Sequence, residues 1–220
     1  MIIDFHTHIL PGMDDGSSSA EESLAMLREE ARQGVDLVML TPHFYAEQNN
    51  VATFLQRRTK AWERLRPQLT ETLPQLRLGA EVQYFEGICG AEDLSKLRLE
   101  RTNLLLLEMP FCKWSERMIH DVLELHAQQE QQVILAHIER YLPFQAKTVW
   151  QRLLDNGVLM QANASFFQNW KTKHKAMTML RQGKIQMLGS DCHNMRTRVP
   201  NLEKTYQIIG ANAEYLQEQY

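Results

Sequence analysis

The sequence predicts an α/β protein of seven strand-helix units, which close more naturally into a barrel than into an open doubly wound sheet, although spacing alone allows both. Three observations support this. Short apolar runs recur along the 220 residues, each followed by a stretch with helical periodicity. The runs end in polar residues able to carry chemistry. No linker, repeat or low-complexity tract divides the chain, so residues 1–220 read as a single domain. Alternating strands and helices imply a parallel sheet with right-handed crossovers, whose sites form outside the carboxyl ends of the strands.

The opening stretch, Ile2 to Gly16, organises the rest. Ile2 and Ile3 lead into His6 and His8, and period-two spacing points both imidazoles to one side of an extended backbone, where one ion can take both. Pro11, Gly12 and Gly16 break any helix and leave Asp14 and Asp15 on a turn that can fold back with hard oxygen ligands. Ser18 and Ser19 each precede a glutamate by three residues (Glu21, Glu22), a capping-box pattern that starts a helix through Leu24, Met26, Leu27 and Ala31, ended by Gly34. Val35 to Leu40 is a buried strand that delivers Thr41, Pro42 and His43. Residues 50–72 read as a helix on Val51, Phe54, Leu55, Trp62, Leu65 and Leu69, closed by Pro74. Leu76 to Val82 is the next strand, with Glu81 near its end, and Leu104 to Leu107 ends at Glu108 and Pro110.

A helix from Ser115 to Gln129 precedes the strand Val133 to Ala136, which ends at His137 with Glu139, Arg140 and Tyr141 beyond. Val149, Leu153 and Leu154 lie on a helix closed by Gly157, and the strand Val158 to Ala162 reaches Asn163 and Ser165. A helix to Gln182 is closed by Gly183, then Ile185 to Ser190 ends at Asp191 and His193. The last helix, Leu202 to Tyr220, covers what remains open.

Composition narrows the function. A formal charge of −3, from 24 basic and 27 acidic residues, gives no general attraction for nucleic acid or anionic membrane. Cys89, Cys112 and Cys192 are odd in number and never spaced C-x-x-C, so neither a disulfide framework nor a cysteine zinc knuckle is indicated. No basic leader and no apolar run of membrane-spanning length appears, which reads as a cytoplasmic chain.

The strand ends alone give His6, His8, His43, Glu81, Glu108, His137, Asn163, Asp191 and His193, taking five of the eight histidines into a small part of the chain. Singly, such a carboxylate caps the next helix and such a histidine is a satisfied core residue. Together they put five imidazoles and several carboxylates around one rim, where the carboxylates would repel one another without metal. A polynuclear metal site is the better reading, and histidine with aspartate suits zinc, manganese or iron.

The motifs D-x-H-x-H (Asp4 to His8), T-P-H (Thr41 to His43), Glu81, Glu108, H-x-E-R-Y (His137 to Tyr141) and S-D-x-H (Ser190 to His193) resemble those of the PHP (polymerase and histidinol phosphatase) metallohydrolases. Within them, H-I-L-P-G-x-D-D-G and a match along nearly the whole chain resemble the CpsB/YwqE-type bacterial protein-tyrosine phosphatases of capsular and exopolysaccharide operons. The resemblance implies a distorted (β/α)7, TIM-like barrel holding three divalent metals, manganese first, with iron, zinc or magnesium as alternatives. It implies His6, His8, Glu81 and Asp191 on one metal, Glu81 shared with a second that also takes Glu108 and His137, and Asp15, His43 and His193 on a third. Asp14 competes with Asp15 for that place. Arg140 and Arg198 match phosphate-contacting arginines, and the implied substrate is a membrane-associated tyrosine kinase with a tyrosine-rich tail.

The chemistry is coherent with that likeness. A divalent pair bridged by one carboxylate lowers the pKa of a bound water from about 15.7 toward about 7, and guanidinium groups hold phosphoryl oxygens bidentately. A tyrosine phenolate, with a pKa of about 10, leaves more readily than a serine alkoxide. Cys192 to Arg198 spells C-x5-R, the signature of thiol phosphatases, but the segment has no glycine to build the tight amide loop that mechanism needs. The alternative within the same metals is another PHP phosphoesterase, acting on histidinol phosphate or a nucleotide phosphoester; outside enzymes, it is a metal-bound regulatory module.

Overall fold

The four-leucine run shows how the chain is layered. In the computed structural model, which describes residues 1–128 and 131–216, Leu104–Glu108 is a fully buried strand. Leu104 and Leu106 belong to one apolar cluster with Ile3, Phe5, Met39 and Ile134, whereas Leu105 and Leu107 belong to a larger one that includes the buried residues of the helices. A strand covered on both faces needs no polar alternation.

Among the described residues nine strands follow in order: β1 (Ile3–Thr7), β2 (Leu37–Leu40), β3 (His43–Phe44), β4 (Gln75–Leu78), β5 (Glu81–Gln83), β6 (Leu104–Glu108), β7 (Gln132–Leu135), β8 (Leu159–Asn163) and β9 (Met187–Gly189). Every pairing is parallel, in the orders β1-β2-β4 and β3-β5-β6-β7-β8-β9. Only two residues separate β2 from β3 and β4 from β5, so both chains run from one sheet into the other. Past the end of β9, Asp191 N donates to His6 O at 2.8 Å and His8 N to Cys192 O at 2.9 Å. The result is a curled parallel sheet with α1 (Ala20–Arg32), α2 (Val51–Leu65), α3 (Glu116–Ala127), α4 (Lys147–Asp155), α5 (Ala164–Gln168) and α6 (Lys173–Arg181) between the strands and α7 (Leu202–Ile209) after β9.

Three expectations need correction. The helix expected over 50–72 ends at Leu65 and tightens into a 3-10 turn, Arg66–Gln68, because Pro67 cannot continue the hydrogen-bond ladder. The last helix stops at Ile209 and becomes a 3-10 turn at Gly210–Tyr215; residues 217–220 of that expectation, like Gln129 of another, lie outside the described residues. The crossover from β5 to β6 holds only two 3-10 turns, Ile88–Gly90 and Leu94–Leu97, so one of the seven expected units lacks an α-helix. Elsewhere local signals match: Ser19 caps α1 by accepting from Glu22 N, and Glu22 reaches back to Ser18 N.

One irregularity positions the site. Pairing of β1 with β2 runs Ile3↔Leu37 and Asp4↔Val38, then Thr7↔Leu40, so β1 carries one extra residue. Such a bulge switches the face on which side chains emerge. Ile3 and Phe5 fill the inner cluster, Asp4 faces Glu30 of α1, and past the bulge His6 and His8 turn inward beside Gln161 and Glu81.

Candidate metal centre

His6 and His8 are fully buried, with their Nε2 atoms 3.1 Å apart. Each ring is aimed by an oxygen behind it: His6 Nδ1 lies 3.3 Å from Gln161 Oε1, and His8 Nδ1 lies 2.7 Å from Asp14 Oδ2. Such oxygens fix the tautomer and orientation of a histidine. Both Nε2 atoms then face Glu81 Oε2, at 3.1 and 3.4 Å, and Asp191 Oδ1, at 3.7 and 3.5 Å.

Glu81 is the hub. Its Oε1 accepts from His137 Nε2 at 3.0 Å, and its Oε2 lies 2.9 Å from His43 Nδ1. Glu108 joins from the next strand, with Oε1 3.3 Å from His137 Nε2 and Oε2 4.0 Å from His43 Nδ1. On the far side, Asp15 Oδ1 lies 3.6 Å from His43 Nε2 and 3.4 Å from His193 Nε2. The two aspartates of the opening turn therefore part. Asp14 supports the frame, accepting from His43 N at 2.9 Å and Gly16 N at 3.0 Å besides meeting His8, while Asp15 faces His43 and His193.

The packing leaves no slack. A Cβ on Gly16 would sit 2.2 Å from His8 O, so only glycine lets the turn close over the ring. His137 and Asp191 adopt φ of 32° and 54°, left-handed conformations costly for residues with side chains. Both stand where a strand ends and its side chain enters the cluster.

Electrostatics match a site built for cations. Burial alone would push the Glu81 and Asp191 carboxyls up, but the charge of His6 and hydrogen bonds from neighbouring imidazoles hold both well below the usual range. Burial opposes charge on His8, yet Asp14, Asp191 and Glu81 raise it well above an ordinary histidine. His137 is likewise lifted to about 9 by Glu108 and Glu81 against the effect of burial. His193 is lowered to about 4 by burial and by the positive charge of His8.

The donor set fits metal ions. Glu81 Oε2, His43 Nδ1 and His193 Nε2 are buried without a hydrogen-bond partner, although Glu81 Oε2 and His43 Nδ1 are close neighbours. Each unsatisfied buried atom costs about 1–3 kcal/mol, so their convergence points to a ligand they share. His6, His8 and Glu81 form one group, His43, Glu81 and Glu108 a second, and His8, Asp15, His43 and His193 a third, each offering ligand atoms within 4.8 Å of one another. Imidazole and carboxylate donors suit manganese, iron or zinc.

The structure brings all nine metal candidates together and adds neighbours that the motifs did not assign. Gln161 is fully buried, receives His137 N at 2.7 Å and donates to Asn163 Oδ1 at 3.0 Å, which ties β7 and β8 to His6. Its place two residues before Asn163 on an inward-facing strand was the available signal. Arg140 and Arg198 both grip Asp191, at 2.5 Å to Oδ2 and 2.6 Å to Oδ1, with 36 and 37% of their side chains exposed. Cys192 is fully buried against Glu30 and Asp4, and burial with these acids raises its thiol well above the ordinary value. A thiolate nucleophile is therefore disfavoured there.

Comparison with known proteins agrees with this geometry. Residues 2–218 match the family model for capsular polysaccharide synthesis, CpsB/CapC. The tyrosine-protein phosphatase CpsB of Streptococcus pneumoniae is 33% identical over 94% of this chain and 89% of its own length. Crystal structures of YwqE from Bacillus subtilis and CpsB from Streptococcus pneumoniae, described as unique metal-dependent tyrosine phosphatases, share the fold at a TM-score of 0.80 and 22% identity, over 96% of this chain and 87% of the other. A histidinol phosphate phosphatase from Lactococcus lactis, crystallised with zinc, L-histidinol and phosphate, matches at a TM-score of 0.56 and 11% identity, over 97 and 92% of the two chains. With its inward-facing histidines, its glutamate hub and a family match along nearly its whole length, the chain belongs to the CpsB/CapC family of capsular polysaccharide synthesis.

Proposed function

We propose that this protein is a metal-dependent protein-tyrosine phosphatase acting in capsular or exopolysaccharide synthesis. The observation that carries the reading is Glu81, a buried carboxylate whose two oxygens lie 2.9–3.1 Å from ring nitrogens of His6, His43 and His137. The 33% identity to a tyrosine-protein phosphatase supplies the substrate class. In this reading His6, His8, Glu81 and Asp191 hold one ion, Glu81, Glu108 and His137 a second, and Asp15, His43 and His193 a third, with manganese the first candidate. Bound, the ions neutralise phosphoryl oxygens and acidify the attacking water.

The chain's own residues do the rest. Asp14 and Gln161 keep His8 and His6 aimed. Arg140 and Arg198, held side by side by Asp191 at the rim, present two guanidinium groups to the phosphoryl oxygens. A phenolate leaving group asks little of a general acid, which favours phosphotyrosine over phosphoserine. The bonds between the ends of β9 and β1 support reading the curled sheet as a distorted seven-stranded barrel in a single domain over residues 1–220. Among the described residues no helix is long and apolar enough to cross a membrane, consistent with a cytoplasmic enzyme acting on a membrane-associated tyrosine kinase.

Turnover of a phosphotyrosyl peptide, a phosphoseryl peptide and histidinol phosphate by the manganese-loaded protein tests this. The phosphotyrosyl peptide should have the highest kcat/KM. Preference for histidinol phosphate would assign the chain to the other PHP activity, and no turnover of any would leave a non-catalytic module.

A further inference from the structure

Three residues beyond Glu108, Phe111 stands at the edge of the metal centre with 51% of its surface exposed. One face is already in use. Its ring stacks on His137 at 5.8 Å and 28°, and on Tyr141 at 5.5 Å and 25°. The turn that presents it is fixed by hydrogen bonds: Met109 N to Tyr141 OH at 3.0 Å, Trp114 Nε1 to Pro110 O at 3.0 Å, and Gln145 Nε2 to Cys112 O at 2.7 Å. A large apolar ring held rigidly and left half exposed beside a polar cluster is a preformed contact surface. Tyr45 repeats the arrangement, stacked on His43 at 5.0 Å and 22°. His137 and His43 are the imidazoles nearest the two oxygens of Glu81, at 3.0 and 2.9 Å.

We propose that Phe111, with Tyr45, is specificity-determining: the two rings form an aromatic slot that receives the aryl group of an aryl phosphate while its phosphoryl group lies among His43, His137 and Glu81. The proposal rests on the tyrosine-phosphatase reading and deepens it. In an aryl phosphate the ring is one ester oxygen from phosphorus, so it must lie beside whatever surrounds the phosphoryl group. An alkyl phosphate brings no ring to that place. Stacked aromatic pairs add enough to shift binding by about three- to tenfold.

The test compares metal-loaded wild type with Phe111→Ala, Phe111→Leu and Phe111→Tyr. Two pairs of constants are read: KM and kcat on a phosphotyrosyl peptide, and inhibition constants for phenylphosphonate and methylphosphonate against p-nitrophenyl phosphate. The alanine and leucine variants should raise the peptide KM and the phenylphosphonate constant about three- to tenfold, leave methylphosphonate unchanged, and keep full metal content. Phe111→Tyr should restore both. Equal weakening of the two phosphonates would show that Phe111 only shields His137, and unchanged phenylphosphonate binding would show no contact; either overturns the slot. A wild type that turns over no phosphotyrosyl peptide would instead remove the function on which the slot rests, a result separate from the phosphonate comparison.

Discussion

Gly189, the last residue of β9, sits where the site has no room for a side chain. A Cβ there would lie 2.6 Å from His6 Cβ, 2.8 Å from Gln161 Nε2 and 3.2 Å from His6 N. Neither neighbour can yield cheaply. His6 and Gln161 are fully buried, and Gln161 is held by His137 N and by Asn163. Gly189→Ala should therefore behave as an overpacked core, costing about 1–3 kcal/mol. For a chain of this size each kcal/mol moves Tm by about 2–4 °C, so the melting point should fall by roughly 2–12 °C. Because the strain falls on His6 and on the amide that aims it, metal affinity should drop about ten- to hundredfold. Thermal unfolding by circular dichroism and metal titration read the two effects. Gly90→Ala is the control, since nothing lies within 4 Å of its added Cβ and its φ is not positive. A Gly189→Ala protein with wild-type Tm and wild-type affinity would refute the close approach of β9 to His6.

Further expectations follow from the same contacts. Arg140→Ala and Arg198→Ala should keep fold and metals but lose about 2–4 kcal/mol of transition-state stabilisation, or roughly tenfold to a thousandfold in kcat/KM; near-wild-type steady-state kinetics in both would reduce them to supports for Asp191. Asp15→Ala should remove one metal equivalent at saturation, whereas Asp14→Ala should weaken binding without changing stoichiometry, and the reverse pattern in elemental analysis would exchange their roles. In chelated protein, His137 titrates near 9 when folded against about 6.5 when unfolded, so its contribution to stability is complete below about pH 6.5 and lost as pH rises through 9. His8 and His43 are also raised and act in the same direction, while His193, lowered to about 4, costs stability as pH falls from about 6.5 toward 4 and adds no slope above 6.5. Tm of the chelated protein should therefore fall from pH 6.5 to 9, and a rising Tm would contradict the imidazole-carboxylate pairing.

The part of the site that was legible came from position rather than residue type. An apolar run that stops at a polar residue marks a strand end, and parallel strands bring their carboxyl ends together, so the pattern of the chain alone groups His43, Glu81, Glu108, His137 and Asp191. What aims those side chains was hidden. The extra residue in β1 leaves no mark in Asp4-Phe5-His6-Thr7-His8, because a bulge is set by pairing with β2 rather than by local propensity. Gln161 reads as a polar residue in a strand until His6 and His137 are seen to share its oxygen. Apolar periodicity alone predicts a helix over 50–72 because it continues to Leu69, beyond the Pro67 that ends the ladder. In the sequence only its place before Gly16 favours Asp15 over Asp14, and the fold of the turn over His8 is what gives the two different partners.

The central claim, that metals held by this cluster rather than the Cys192 thiol drive phosphotyrosine hydrolysis, is tested most directly by the rate on a phosphotyrosyl peptide before chelation, after it, and after manganese is returned, in wild type and Cys192→Ser. Both proteins should lose activity on chelation and regain it with manganese, at comparable levels. Undiminished turnover by the chelated enzyme, or a Cys192→Ser protein that binds its metals yet is inactive, would contradict the account.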